Sequence, residues 1–245
     1  MHYVLSDIHG ESAAFDGVLA MIDMKAEDHL YIIGDVVDRG PDGIELLRRI
    51  RSIPNATLLL GNHELMMIDA LRHPGDGWAL MQWWRNGCEE TYRRFNALGA
   101  GAREELLSYV ESLPVQTEIR VGERAFRLVH AAPVELYAPG RWRDETEFAV
   151  WHRMGLQRPE ELAGRTILIG HTPTAYWQRA DWPRMRIAHG SGVIDLDCGC
   201  VFPDSGGQLG CLRLEDMTEF YSAEGVVTSR EAAAWKARYV RGQGE

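Results

Sequence analysis

Cysteine is scarce in this chain and poorly spaced for metal chemistry. The four residues, Cys88, Cys198, Cys200 and Cys211, offer one CxC and no CxxC pair. That argues against a structural zinc module and leaves them as reduced packing residues. No apolar run reaches about 18 residues, so nothing reads as a membrane-spanning helix. Met1 to Asp7 enters strand-like sequence directly, without a basic start or a signal-peptide core, and a cytoplasmic location is expected. Lysine is nearly missing: Lys25 and Lys236 stand against 24 arginines, which reads as composition bias rather than function. Positive charge is in deficit, with 26 basic and 36 acidic residues for a net −10, whereas nonspecific nucleic-acid binding draws on a basic surface. Repeats, low-complexity tracts and clear linkers are absent. A chain of 245 residues, 45% hydrophobic, is expected to form a single domain over 1–245.

The first third alternates. Residues 3–6, 30–34 and 56–60 read as strands; 12–24 (with Ser12 as N-cap), 43–52 and 64–71 read as helices. Short apolar runs between amphipathic helices indicate βαβ units and a largely parallel sheet buried on both faces. Residues 74–113 turn helical and aromatic, as a cap-like insertion would. Strands resume at 115–119 and 125–129. A loop-rich stretch follows, with a short helix near Glu160, then strands at 166–169 and 193–196. Gly206-Gly207 precedes a hairpin of 209–214 and 219–222, and 230–240 reads as a terminal helix.

Five apolar runs each end in polar residues suited to metal or phosphate. "YVLS" leads to Asp7 and His9, and "YIIG" to Asp35, Asp38 and Arg39. "TLLLG" leads to Asn62 and His63, "FRLV" to His130, and "TILIG" to His171. Ligand crevices of open α/β sheets lie beyond the carboxyl ends of the strands, so one geometric rule would gather all five clusters. Oxygen and imidazole donors without a nearby thiolate suit divalent first-row metals. Asp7 and His9 could reach one ion, Asp35 could bridge two, and Asn62, His130 and His171 could complete the second shell. Two dications, two carboxylates and a bridging hydroxide leave about one positive charge for a phosphate, and two such ions generate a nucleophile at neutral pH. Arg39 would face the phosphate as a guanidinium fork. Asp38 would either orient a catalytic group or tether Arg39. His63 could protonate the leaving oxygen, with a carboxylate such as Asp38 fixing its tautomer.

"DIHG", "GDVVDRG", "GNHE", "VHA" and "GHTP" together resemble the calcineurin-like metallophosphoesterases, and within them the small bacterial and phage branch of the phosphoprotein phosphatases. The resemblance implies an α/β fold, a four-layer α/β/β/α metallophosphoesterase sandwich with a helical cap insertion at about 74–113, and two metals between the sheets. It implies Asp7, His9 and Asp35 on the first metal, and Asp35, Asn62, His130 and His171 on the second. Arg39 matches a phosphate-binding arginine, and His63 with Asp38 the pair that assists the leaving group. A second phosphate arginine is assigned to Arg153, in "VWHRMG", ahead of Arg141 and Arg143. Manganese is the expected metal, with iron or zinc as alternatives. "WWRNGCEET" resembles a stretch of bacterial protein phosphatases and favours that branch over the symmetrical diadenosine tetraphosphate hydrolases. Two positions depart from the family: Ser6 opens the first motif where glycine is usual, and Cys88 replaces a glycine and is expected to narrow the pocket. His189 is an alternative metal histidine, expected instead in a turn.

The leading expectation is therefore a serine/threonine protein phosphatase acting on phosphorylated protein. The alternative is hydrolysis of dinucleoside polyphosphates or capped RNA ends, with small phosphate esters such as nucleotides as substrates. An inactive phosphate-binding scaffold is the third, and it needs a missing catalytic residue.

Overall fold

A computed structural model describes residues 1–178 and 183–239, and the side chains up to 235. Two sheets face each other. The first has the order β11-β10-β9-β1-β2-β3, built from β1 (His2–Leu5), β2 (His29–Ile32), β3 (Ala56–Leu58), β9 (Gly210–Arg213), β10 (Thr218–Tyr221) and β11 (Gly225–Val227). The second has the order β4-β5-β6-β8-β7, from β4 (Gln116–Val121), β5 (Arg124–Val129), β6 (Arg165–Ile169), β7 (Ala188–His189) and β8 (Val193–Asp195). β1 pairs parallel with β2, and β2 with β3; β5 pairs parallel with β6, and β6 with β8.

The apolar runs are nearly continuous because both faces of these strands are buried. Alternate residues separate cleanly. Tyr3 and Leu5 pack outward against helices, while Val4 packs inward between the sheets. Ile167 and Ile169 likewise face outward on the second sheet and Leu168 inward. Helices α1 (Ser12–Ile22), α2 (Gly43–Ser52) and α3 (Asn62–Arg72) cover the first sheet, and α7 (Glu145–Trp151) covers the second. The result is the four-layer α/β/β/α sandwich that the family resemblance implied; the strand pattern alone indicated one largely parallel sheet.

The insertion forms α4 (Gly77–Arg85), α5 (Glu89–Ala97) and α6 (Ala100–Glu111). α4 and α6 pack on α3, and α5 on α2. The terminal helix α8 spans Ser229–Tyr239; Val240, the last residue of the expected helix, lies outside the described residues. Among the described residues no helix is long and apolar enough to cross a membrane.

Several local expectations need correction. Ser12 is not the N-cap of α1: Glu11 holds that position, and the Ser12 hydroxyl donates to Asp42 instead. The loop-rich stretch contains α7, whose N-cap Asp144 accepts from Glu147 N at 2.8 Å. With seven residues, α7 is too short for its apolar period to be legible. Cys88 is fully buried at the start of α5 and does not line the cavity beside the site. His189 lies in β7 rather than a turn, with Nε2 2.7 Å from Glu219.

Candidate metal and phosphate site

The strand ends do converge. Asp7 and His9 follow β1; Asp35, Asp38 and Arg39 follow β2; Asn62 and His63 open α3 after β3; His130 follows β5 and His171 follows β6. The two sheets are stitched together at this point. His130 Nδ1 donates to the Ile33 carbonyl at 2.8 Å, and His171 N donates to Asp7 Oδ2 at 3.1 Å.

The backbone is strained where the side chains must meet. Nine described non-glycine residues have positive φ, and six of them are Asp7, His9, Asp35, Asp38, Arg39 and His171. Such conformations persist only where surrounding structure enforces them, and they cluster at functional sites. One enforcer is Glu64, fully buried, whose carboxylate accepts from the backbone N–H groups of Asp35 and Val36 (both 2.8 Å), Gly61 (3.1 Å) and Val37 (3.2 Å). Gly61 is needed for closeness: a Cβ there would lie 2.2 Å from Asp35 Oδ1.

Donor atoms of His9, Asp35 and His63, and of Asp35, His130 and His171, each fall within 4.8 Å of one another. The two groups share Asp35. The first contains His63 where Asp7 was expected; Asp7 Oδ1 borders it, 3.8 Å from His9 Nε2. Its Oδ2 accepts from the Ser6 hydroxyl, so the serine that departs from the family pattern fixes this carboxylate.

The second group fits a cation. With Nδ1 donating to Ile33, the Nε2 of His130 is aimed at Asn62 Oδ1 (2.9 Å) and Asp35 Oδ2 (3.4 Å). His130 Nε2, Asn62 Oδ1 and Asp35 Oδ2 thus converge in an arrangement that a metal ion or a proton on His130 would stabilise. Burial opposes a charge on His130, yet Asp35 and Asp7 push its pKa up to about 10. His171 Nδ1 lies 2.8 Å from the same Asn62 oxygen, and its Nε2 is buried without a partner. Burial and His130 bring the His171 pKa down to about 3, which keeps the ring neutral. His9 is also held neutral, by burial and by His63; its Nδ1 bonds the Val37 carbonyl at 3.0 Å and Nε2 faces inward.

Beside this cluster, His63 Nδ1 lies 2.7 Å from Asp38 Oδ2, which also accepts from Trp83 Nε1 at 2.7 Å. Asp38 N donates to Thr91 Oγ1 (2.9 Å) and Arg39 N to the Gly87 carbonyl (2.8 Å). The Arg39 guanidinium spans His9 Nε2 (2.9 Å) and His63 Nε2 (3.0 Å). Arg153 lines a cavity that reaches His171 and lies over the Tyr176 ring. Arg143 is held by Asp69 and Asp144.

Residues 3–195 match the calcineurin-like phosphoesterase model. The chain belongs to this family. Among curated relatives, the symmetrical bis(5′-nucleosyl)-tetraphosphatase of Paracidovorax citrulli (strain AAC00-1) is 31% identical over 134 residues, 53% of this chain and 43% of the relative. The enzyme of the same name from Coxiella burnetii (strain CbuG_Q212) is 26% identical over 212 residues, 80% of this chain and 66% of the relative. The chain thus spans about half to two thirds of the length of these relatives. A solved putative diadenosine tetraphosphatase superposes with a TM-score of 0.60 at 17% identity, covering 90% of this chain and 91% of its own. A cold-active protein-tyrosine phosphatase of a Shewanella species gives 0.55 at 18%, covering 93% and 79%.

These relatives overturn the expected serine/threonine protein phosphatase and its phosphoprotein partner, because the curated sequences bear the name of the alternative. The misleading signal was "WWRNGCEET". Its Trp83, Gly87 and Thr91 all bond to Asp38 or to the Arg39 backbone, so these residues of the motif brace that loop. Glu64 of "GNHE" carries no sequence signal for its role, because all four of its partners are backbone N–H groups, three of them far away in sequence.

Proposed function

We propose that this calcineurin-like phosphoesterase hydrolyses dinucleoside polyphosphates. Two divalent cations, manganese by resemblance, would activate water and offset phosphate charge. Asp7, His9 and Asp35 would hold one, and Asp35, Asn62, His130 and His171 the other. Arg39 and Arg153 would bind non-reacting phosphate oxygens. Asp38 fixes His63 with Nε2 beside Arg39, the position from which the ring would pass a proton to the departing phosphate oxygen. Water adds to one phosphorus, a P–O–P bond breaks, and diadenosine tetraphosphate cut at its centre gives two ADP. Four free, buried cysteines are in keeping with a cytoplasmic setting.

The observation that carries this reading is the convergence of Asp35, Asn62, His130 and His171 on one point, combined with the names of the relatives. Metal-reconstituted protein should convert diadenosine tetraphosphate to ADP alone, faster than it releases phosphate from phosphoserine peptides. The reverse ranking, or full activity after exhaustive chelation, would overturn it.

A further inference from the structure

Next to His171 lies a cavity of about 440 Å³ whose wall includes Gln82, Arg141, Trp142, Glu147, Trp151 and Arg153. It belongs to the size class of small-molecule sites, about 300–1,000 Å³, and two indoles stand among polar and charged side chains in its wall. At its inner end, Trp151 stands edge-on to His171, with ring centroids 5.8 Å apart. Toward its outer end, the Arg141 guanidinium lies 4.7 Å from the Trp142 ring centroid. Trp142 is itself braced edge-on by Phe148 and His152.

Two guanidinium groups at this cavity are free to meet a ligand. Several arginines among the described residues are tied to carboxylates, as Arg72, Arg94 and Arg143 are. Arg141 and Arg153 have no ion pair among the described residues and instead lie over aromatic rings. Two uncommitted guanidinium groups beside a cation-demanding cluster attract a polyanion. An indole with a guanidinium on it is a stacking platform for a nucleobase. The Gln82 amide and Glu147 carboxylate offer a donor–acceptor pair for a base edge or ribose hydroxyls. The adjoining recess has carboxylates of Asp69, Asp76 and Glu147 in its wall, with Asp69 already paired to Arg143.

We infer that this cavity is a subsite for one nucleoside end of the substrate, with its base on Trp142 and the phosphate chain running past Arg141 and Arg153 toward His171. The volume accommodates one nucleoside, so the second end of a dinucleoside substrate lies outside it and is not read. The inference rests on the proposed polyphosphate substrate but is testable apart from it.

The test compares wild type with Trp142→Ala, Trp142→Phe and Arg141→Ala. Turnover is measured on diadenosine tetraphosphate and p-nitrophenyl phosphate, and ADP binding to metal-free protein by calorimetry. Trp142→Ala should lower the ratio of kcat/KM for the tetraphosphate to that for p-nitrophenyl phosphate by about tenfold or more, chiefly through KM, with Trp142→Phe recovering most of it. ADP binding should weaken in parallel in Trp142→Ala and Arg141→Ala. Tetraphosphate turnover with unchanged ratios and unchanged ADP binding would overturn the subsite and leave the proposed activity standing. Absent tetraphosphate turnover with ADP binding lost in Trp142→Ala would overturn the activity and leave the subsite. Undetectable ADP binding to wild type at millimolar concentration would overturn the subsite.

Discussion

Two side chains separate chemistry from scaffolding at the residue scale. His63 is fully buried, with one nitrogen on Asp38 and the other on Arg39. A proton donor matters most when the leaving oxygen is basic. His63→Asn should therefore reduce kcat on a phenyl or alkyl phosphate by about 10²–10⁴-fold, in line with general acid catalysis. The loss should be smaller on a phosphoanhydride, whose less basic leaving group needs less help from His63; stopped assays on both substrates check the difference. Glu64 touches no substrate position but accepts four backbone N–H groups around Asp35. Glu64→Gln keeps the shape and turns an NH2 onto some of those donors. Leaving buried donors unmet costs about 1–3 kcal/mol each. Thermal melts should show Tm lower by roughly 4–10 °C, with activity reduced because the Asp35 loop loosens.

At the scale of elements, the insertion α4–α6 earns its place through three bonds to one loop. Trp83 from α4 bonds the Asp38 carboxylate, Thr91 from α5 bonds Asp38 N, and Gly87 between them bonds Arg39 N. Burial raises the Asp38 pKa, and bonds from His63, Thr91 and Trp83 counter it. Its other oxygen, Oδ1, is buried with no partner, so each remaining donor matters. Trp83→Phe preserves most of the packing and removes one donor. It should destabilise by about 1–3 kcal/mol in denaturant titrations. It should also lower kcat more than it raises KM, because Asp38 positions His63 rather than substrate.

Over the whole molecule, the site lies where two sheets meet and demands positive charge there. The sign of its pH response follows from His130, whose pKa rises to about 10 against the opposing effect of burial, through Asp35 and Asp7. A raised histidine pKa stabilises the fold fully below the unfolded value, about 6.5. That contribution disappears as pH climbs through about 10. Metal-stripped protein should therefore lose stability from pH 7 to 10, and His130→Gln should flatten that slope. Saturating manganese should raise Tm and weaken the dependence, since ligand binding to the native state stabilises by mass action. Melts across pH with and without metal decide this. An unchanged slope in His130→Gln would contradict the cation-demanding cluster.

The sequence by itself determined the layered α/β fold, because strands buried on both faces must be apolar throughout and their polar stops must fall at the strand ends. It also determined which residues gather: Asp7, His9, Asp35, Asn62, His130 and His171 were all named from those stops. Ser6, Glu64 and Trp83 acquired their roles only in three dimensions, because each acts through a hydrogen bond whose partner is set by tertiary approach. The left-handed backbone of Asp7, Asp35 and His171 was equally hidden, since nothing in a residue's type states its φ. The expected protein-phosphatase reading rested on a motif whose Trp83, Gly87 and Thr91 bond the Asp38–Arg39 loop, a partnership set only by packing. Local periodicity fixes elements; only packing decides which side chains share a cavity.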